Sequence, residues 1–171
     1  MNESVGNALL FNLVISIVVI LLAFFIGSLS YSKASKVKNK IIEELEKQGE
    51  YAASSDSSIK AKDIYDNSVD EIEKWLGSTN IGYRQNGNPG MVNQLCESNK
   101  PEGATLVNES SDYEYCVYAF STCHENNNGV NQRCGIYFKV RTYMYFDVPV
   151  IQDLIKIPID GETMTFSKIK S

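Results

Sequence analysis

The side chains best suited to covalent or metal chemistry in this chain are four cysteines, Cys96, Cys116, Cys123 and Cys134, and a single histidine, His124. No two of the cysteines form a Cys-x-x-Cys pair, and one histidine beside Cys123 does not supply the paired close ligands from which zinc sites are built. All four thiols lie in the second half of a 171-residue chain, and their expected use is two disulfides, which persist outside the cytoplasm. Four cysteines allow three pairings. Cys123 and Cys134 bracket the polar loop HENNNGVNQR, so they are expected to join, which leaves Cys96 for Cys116.

No other set of side chains reads as a reaction centre. The sequence contains no glycine-rich phosphate loop, nucleophile elbow or zinc-protease motif, and Gly82-Tyr83-Arg84 and Gly161-Glu162-Thr163 are too short to carry a reading alone. Net charge is −5, and residues 51–171 hold 11 basic against 16 acidic side chains. A nucleic-acid binder would display a basic face, and none is visible. The expectation is a protein that is not an enzyme, with no cofactor, no metal, no nucleic-acid partner and no identifiable small-molecule substrate.

The elements that must position the cysteine-bearing part begin with an apolar stretch. No charged residue occurs from Ser4 to Ser32, and Ala8–Ile26 reads ALLFNLVISIVVILLAFFI. About 20 such residues at 1.5 Å each cross a hydrocarbon core of about 30 Å. A buried core helix would show a polar stripe, and here only Asn12 and Ser16 interrupt the run. A cleaved signal peptide would carry a basic leader and a shorter apolar core, whereas this run is preceded by Glu3. The sequence thus predicts a short lead over 1–7 and a retained transmembrane helix over 8–30, with the lipid bilayer as its partner. Within that helix Asn12 could hydrogen-bond across helices in lipid, and Ala23-x-x-x-Gly27 is a small-x-x-x-small pair that permits close helix approach.

The helix is expected to continue as a stalk over 31–50. Tyr31–Gln48 contains no Pro or Gly, and Ala34, Val37, Ile41 and Leu45 recur at helical spacing. Lys40 and Glu44 share one face, and Gly49 is placed to cap the end. The apolar stripe could pack on its own domain or on neighbouring copies. The remainder, 51–171, reads as one small α+β domain. A second helix is predicted from about Ile59 to Leu76, with Ala61, Ile64, Tyr65, Val69, Ile72, Trp75 and Leu76 on one face and Gly77 after its last turn. Residues 78–112 read as loops with one or two short strands, and they include the glycosylation-like triplet Asn108-Glu109-Ser110.

A strand is expected over 112–122, and the clearest alternation follows in GIYFKVRTYMYFDV. Ile136, Phe138, Val140, Thr142, Met144, Phe146 and Val148 point one way, with Tyr137, Lys139, Arg141, Tyr143 and Tyr145 opposite. Pro149 should end this strand, a helical turn is expected at Ile151–Ile155, and Pro158 should precede a last strand, for a sheet of three or four antiparallel strands. The abundant tyrosines fit either a contact surface or a half-buried sheet that favours aromatics.

A helix apolar in its first half and amphipathic in its second, leading into a small disulfide-bearing sheet, resembles the pilin-like proteins, and among them the TadE-like pseudopilins of bacterial Tad pilus and secretion loci. The opening Gly6-Asn7-Ala8-Leu9-Leu10-Phe11, the stalk SYSKASKVKNK and the ending KVRTYMYFDVPVIQDLIKIPIDGETMTF carry the likeness. Where the family places a Glu shortly after its processed Gly, this chain has an apolar residue. The resemblance implies processing at Gly6, partnership with identical or related subunits through the N-terminal helix, and a structural or minor role in a surface appendage or secretion machine. The alternative is a membrane-tethered extracytoplasmic binding domain. Topology is contested within the sequence: Lys33, Lys36, Lys38 and Lys40 follow the span, which by the positive-inside rule favours a cytoplasmic domain, while the cysteines favour export. Four cysteines at hairpin-like positions outweigh the basic flank, so a single-pass cell-membrane protein with its C-terminal domain outside is expected.

Overall fold

The computed structural model describes residues 2–54, 60–78, 81–85, 88–109, 111–124, 133–145 and 156–167, with the side chains of residues 2–8, 123–124 and 133–134 outside the description. One helix, α1 (Asn2–Ser54), runs for 53 residues, or about 80 Å at 1.5 Å per residue. Its two halves have opposite surroundings. From Leu9 to Phe25 every side chain is exposed, and the most apolar 18-residue window has a mean hydropathy of 3.1 with none of it buried inside the protein. This half is long and apolar enough to cross a membrane, and its own domain leaves it uncovered, unlike a soluble core helix. In the second half Ala34, Val37, Ile41 and Leu45 are buried almost completely.

What buries them is a five-stranded antiparallel sheet in the order β1-β2-β3-β4, formed by β1 (Thr105–Leu106), β2 (Tyr115–His124), β3 (Arg133–Tyr145) and β4 (Lys156–Glu162), with β5 (Phe166–Ser167) pairing the start of β3. Side chains alternate across the pleat. Tyr115, Val117, Phe138, Val140 and Phe166 form one core with the α1 stripe and with Ile64, Tyr65, Ile72 and Leu76 of α2 (Ala61–Ser78). The stripe therefore packs on its own domain. Full burial of each aliphatic side chain contributes about 1.5–3 kcal/mol, so α1 is a principal source of the domain's stability.

Polar stitches fix the helix along β3. The Thr142 hydroxyl donates to the Ala34 carbonyl at 3.1 Å, the Ser30 hydroxyl accepts from the Tyr145 amide at 3.2 Å and donates to its carbonyl, and the Met164 amide donates to the Glu46 carboxylate at 3.0 Å. On the opposite face α3 (Pro89–Ser98) covers the sheet with Val92 and Cys96, against Cys116, Tyr118, Tyr143 and Tyr145. Tyr115, Tyr118, Tyr143 and Tyr145 are buried, which favours the half-buried sheet over a tyrosine contact surface.

The sheet has five strands where three or four were expected, because the two-residue strands β1 and β5 join the pairing, and four further local expectations are corrected. Gly49 does not cap α1, which continues to Ser54; instead the Phe166 ring lies so close that a β-carbon there would sit 2.4 Å from it. Gly77 likewise lies inside α2. The stretch 78–112 contains α3, started by Asn88, whose side chain accepts from the Gly90 amide at 3.1 Å, with Pro89 in the first turn. Pro158 lies within β4, opposite Tyr143, and β4 ends the strand order, where a residue without an N–H is tolerated. The helical turn expected at 151–155, and Phe146 and Val148, lie outside the described residues.

Phe166 is itself held against Phe138, with ring centroids 6.3 Å apart. Replacing Gly49 by Ala would gain about 1 kcal/mol of helix propensity but overpack this contact at a cost of about 1–3 kcal/mol. Gly49→Ala is therefore expected to lower the urea midpoint, and the same change in a Phe166→Ala background to raise it. Equal signs in the two backgrounds would refute the close approach.

Candidate functional site

A crevice of about 530 Å³ opens where α1 passes from its exposed half into the domain. Ile26, Leu29, Ser30, Lys33 and Ala34 form the helix wall, and Gly82, Tyr83, Arg84, Tyr143 and Tyr145 form the other. The positioning is local and then tertiary. Ser30 locks the end of β3 to the helix through Tyr145. Gly82 takes the left-handed conformation at φ +63°, open to glycine without strain, and Lys33 Nζ passes 3.7 Å from where its β-carbon would be.

Tyr83 then completes the sheet. The β2–β3 register pairs Tyr115 with Thr142, so the next rung sets Glu114 opposite Tyr143. No direct rung forms there. The Tyr83 hydroxyl enters between the strands, donating to the Glu114 carbonyl at 2.7 Å and accepting from the Tyr143 amide at 3.1 Å. Burial pushes the Tyr83 hydroxyl well above the ordinary tyrosine pKa, so it stays a neutral donor.

Behind this rung the Glu114 side chain is 2 % exposed and is held by charge and hydrogen bonds. The Tyr145 hydroxyl donates to it, Lys156 Nζ lies 3.4 Å away and Arg84 Nε 3.8 Å away. Arg84 and Lys156 also stand 5.1 and 5.5 Å from the centre of the Tyr145 ring, within cation–π range. Lys33 is exposed, and among the described residues it has no ion-pair partner. The site thus combines an apolar helix wall, tyrosine rings, Lys33 on the helix side and a buried carboxylate with Arg84 and Lys156 beside it. Among the described residues no group of three His, Cys, Asp or Glu side chains could hold a metal ion.

The residues singled out from sequence lie elsewhere. Cys96 and Cys116 are bonded, with Cα atoms 5.5 Å apart, and tie α3 to β2. Cys123 and Cys134 are directly opposite in the β2–β3 register, and their side chains lie outside the described residues. Ala23 and Gly27 line a shallow groove of about 480 Å³ with Phe24, Ser28, Tyr31 and Met144. Asn12 is exposed on α1, its carbonyl accepting from the Ser16 hydroxyl at 2.8 Å, and Gly6 lies in the first turns of the same helix. Asn108 is 1 % exposed; its side chain accepts from the Val117 amide at 2.8 Å and donates to the Tyr115 carbonyl at 2.5 Å, so the glycosylation-like triplet presents no free acceptor in the folded chain.

Sequence reading missed Tyr83 and Glu114 as site residues. Their one local signal was Gly82-Tyr83-Arg84, a glycine followed by an aromatic and a cation, and its meaning depends on strands that are distant in sequence. The class defined by fold and site is an α+β domain built on the C-terminal half of a membrane-length helix, with a cationic, tyrosine-lined crevice at the junction. Compared with known proteins, the chain matches no protein-family model, no curated protein and no solved structure.

Tyr83→Phe keeps the ring and removes only the bridging hydroxyl, leaving the Tyr143 amide and Glu114 carbonyl without that partner. The expected loss is about 1–3 kcal/mol, measured as a lower urea midpoint with an unchanged slope. A neutral outcome would show that the bridge contributes nothing to folding.

Proposed function

We propose that the protein is a pilin-like structural or minor subunit of a bacterial surface appendage or secretion machine, exported and assembled through its N-terminal helix. The observation that carries this reading is the continuity of α1. The helix whose second half is the domain's core extends without a break into an exposed apolar rod. A flexible tether would let anchor and domain move independently, whereas a shared helix transmits the position of one to the other. Side-by-side packing of such rods would exchange lipid for neighbouring helices of similar polarity, so association would rest on close packing and interhelical hydrogen bonds. The groove containing Ala23 and Gly27 offers such an approach, and the absence of charge from Ser4 to Ser32 leaves van der Waals contact as its main source. The Cys96–Cys116 bond suits an extracytoplasmic domain. The second reading, a membrane-tethered binding domain, is favoured by the crevice itself.

The two differ in what the span does. Cysteines placed one at a time from Leu9 to Ile26 in the full chain, oxidised in native membranes, should cross-link most strongly on the face of Ala23→Cys with helical periodicity. Replacing Leu9–Ile26 by an unrelated apolar span should abolish the cross-linked species. Monomer at every position would contradict assembly through the helix.

A further inference from the structure

We propose that the crevice at the base of the domain is a binding site for the headgroup of an anionic phospholipid. The inference needs only that α1 spans a membrane, and stands whether or not the helices assemble. Ala8–Ile26 covers about 28 Å of helix axis, close to the hydrocarbon thickness of about 30 Å. Ile26 and Leu29 therefore lie at the hydrocarbon boundary and Ser30 and Lys33 in the headgroup layer. The crevice is lined by these four residues, so its mouth meets the lipid surface.

Its chemistry matches that position. A phosphodiester needs cationic donors beside an apolar wall along which its acyl chains can run. Lys33 stands on α1, and helical side chains lean toward the N-terminus, here toward the bilayer. Arg84 lines the opposite wall of the crevice, with its side chain 37 % exposed. Lys156 shares Glu114 with it from behind Tyr145. Lys33 and Arg84 thus stand on opposite walls of the crevice itself, in a domain whose overall balance is acidic. The crevice tyrosines supply ring faces of the kind that settle at membrane interfaces, and Tyr31, 55 % exposed on the same stretch of helix, continues that belt. Basic pockets at this level are suited to anionic headgroups.

The test uses the full chain in mild detergent, offered phosphatidylglycerol and phosphatidylcholine in equal amounts, with the retained lipid read by native mass spectrometry. Wild-type protein should retain phosphatidylglycerol in preference. Lys33→Gln, a change at an exposed side chain, should weaken that retention about five- to tenfold. Lys47→Gln, on the same helix away from the crevice and 70 % exposed, should leave it unchanged. Equal retention of the two lipids by wild type, or a Lys33→Gln protein indistinguishable from it, would overturn the proposal. Displacement of the lipid by inorganic phosphate at matching concentration would assign the site to a free anion and overturn it equally.

Discussion

The structure depends on the burial of one helical stripe. Ala34, Val37, Ile41 and Leu45 are spaced so that all four fall on one side of α1, and the sheet and α2 close over that side. Without the stripe the inward face of β3, with Phe138, Val140 and Thr142, would have no cover; without the sheet, the second half of α1 would expose an apolar seam to water. Neither element reaches its observed burial alone. The exposed apolar rod, long and apolar enough to cross a membrane, and the helix of the domain core are consequently one continuous secondary-structure element, and the helix register that suits the core also fixes how the rod emerges from the domain.

The same constraint creates the crevice. α1 and β3 are held together as far as Ser30 and Tyr145, where the described part of β3 ends while the helix runs on toward its exposed half. Polar groups at the end of the sheet must still be satisfied, and long-range side chains do this: Tyr83 at the rung after Tyr115–Thr142, Ser30 at Tyr145, and Asn108 beside Val117 on the other edge. Glu114 is buried at this end with Arg84 and Lys156 near it; a buried carboxylate left without partners would carry a desolvation cost of several kcal/mol. Charge thus gathers at the base of the domain for structural reasons, and leaves Lys33 and part of Arg84 facing outward. Toward the sheet's other edge, Arg141 of β3 clasps Asp160 of β4 through two bonds of 2.7 and 2.8 Å, which holds the Asp160 carboxyl below its usual range and joins the two strands.

Periodicity made much of this legible. The charge-free run before Lys33, the stripe from Ala34 to Leu45, the apolar face of α2 and the alternation from Ile136 to Met144 each repeat a period that only one kind of element satisfies, and each matches the structure. The α+β class followed from them. What was not legible came from close approach and from partners distant in sequence. Gly49 resembled a helix end because glycine ends helices, yet it is needed for the Phe166 ring across 117 residues of chain. The ten residues of α3 are too short and too polar to show a period, although Asn88-Pro89 is a legitimate helix start. Pro158 suggested a boundary, and only its place on an edge strand admits it. Tyr83 and Glu114 had only the short Gly82-Tyr83-Arg84 signal, since their roles depend on a rung where β2 and β3 diverge.

Hydrogen exchange on the full chain in detergent micelles tests the central claim, the sharing of one helix by anchor and core, most directly. Amides of residues 34–49 and of β3 should lose protection together as urea is raised, with one midpoint, because the stripe and the sheet bury each other. Exchange at 34–49 while β3 remains protected, or protection there after β3 has opened, would mean that stalk and domain are separate units and would contradict the account.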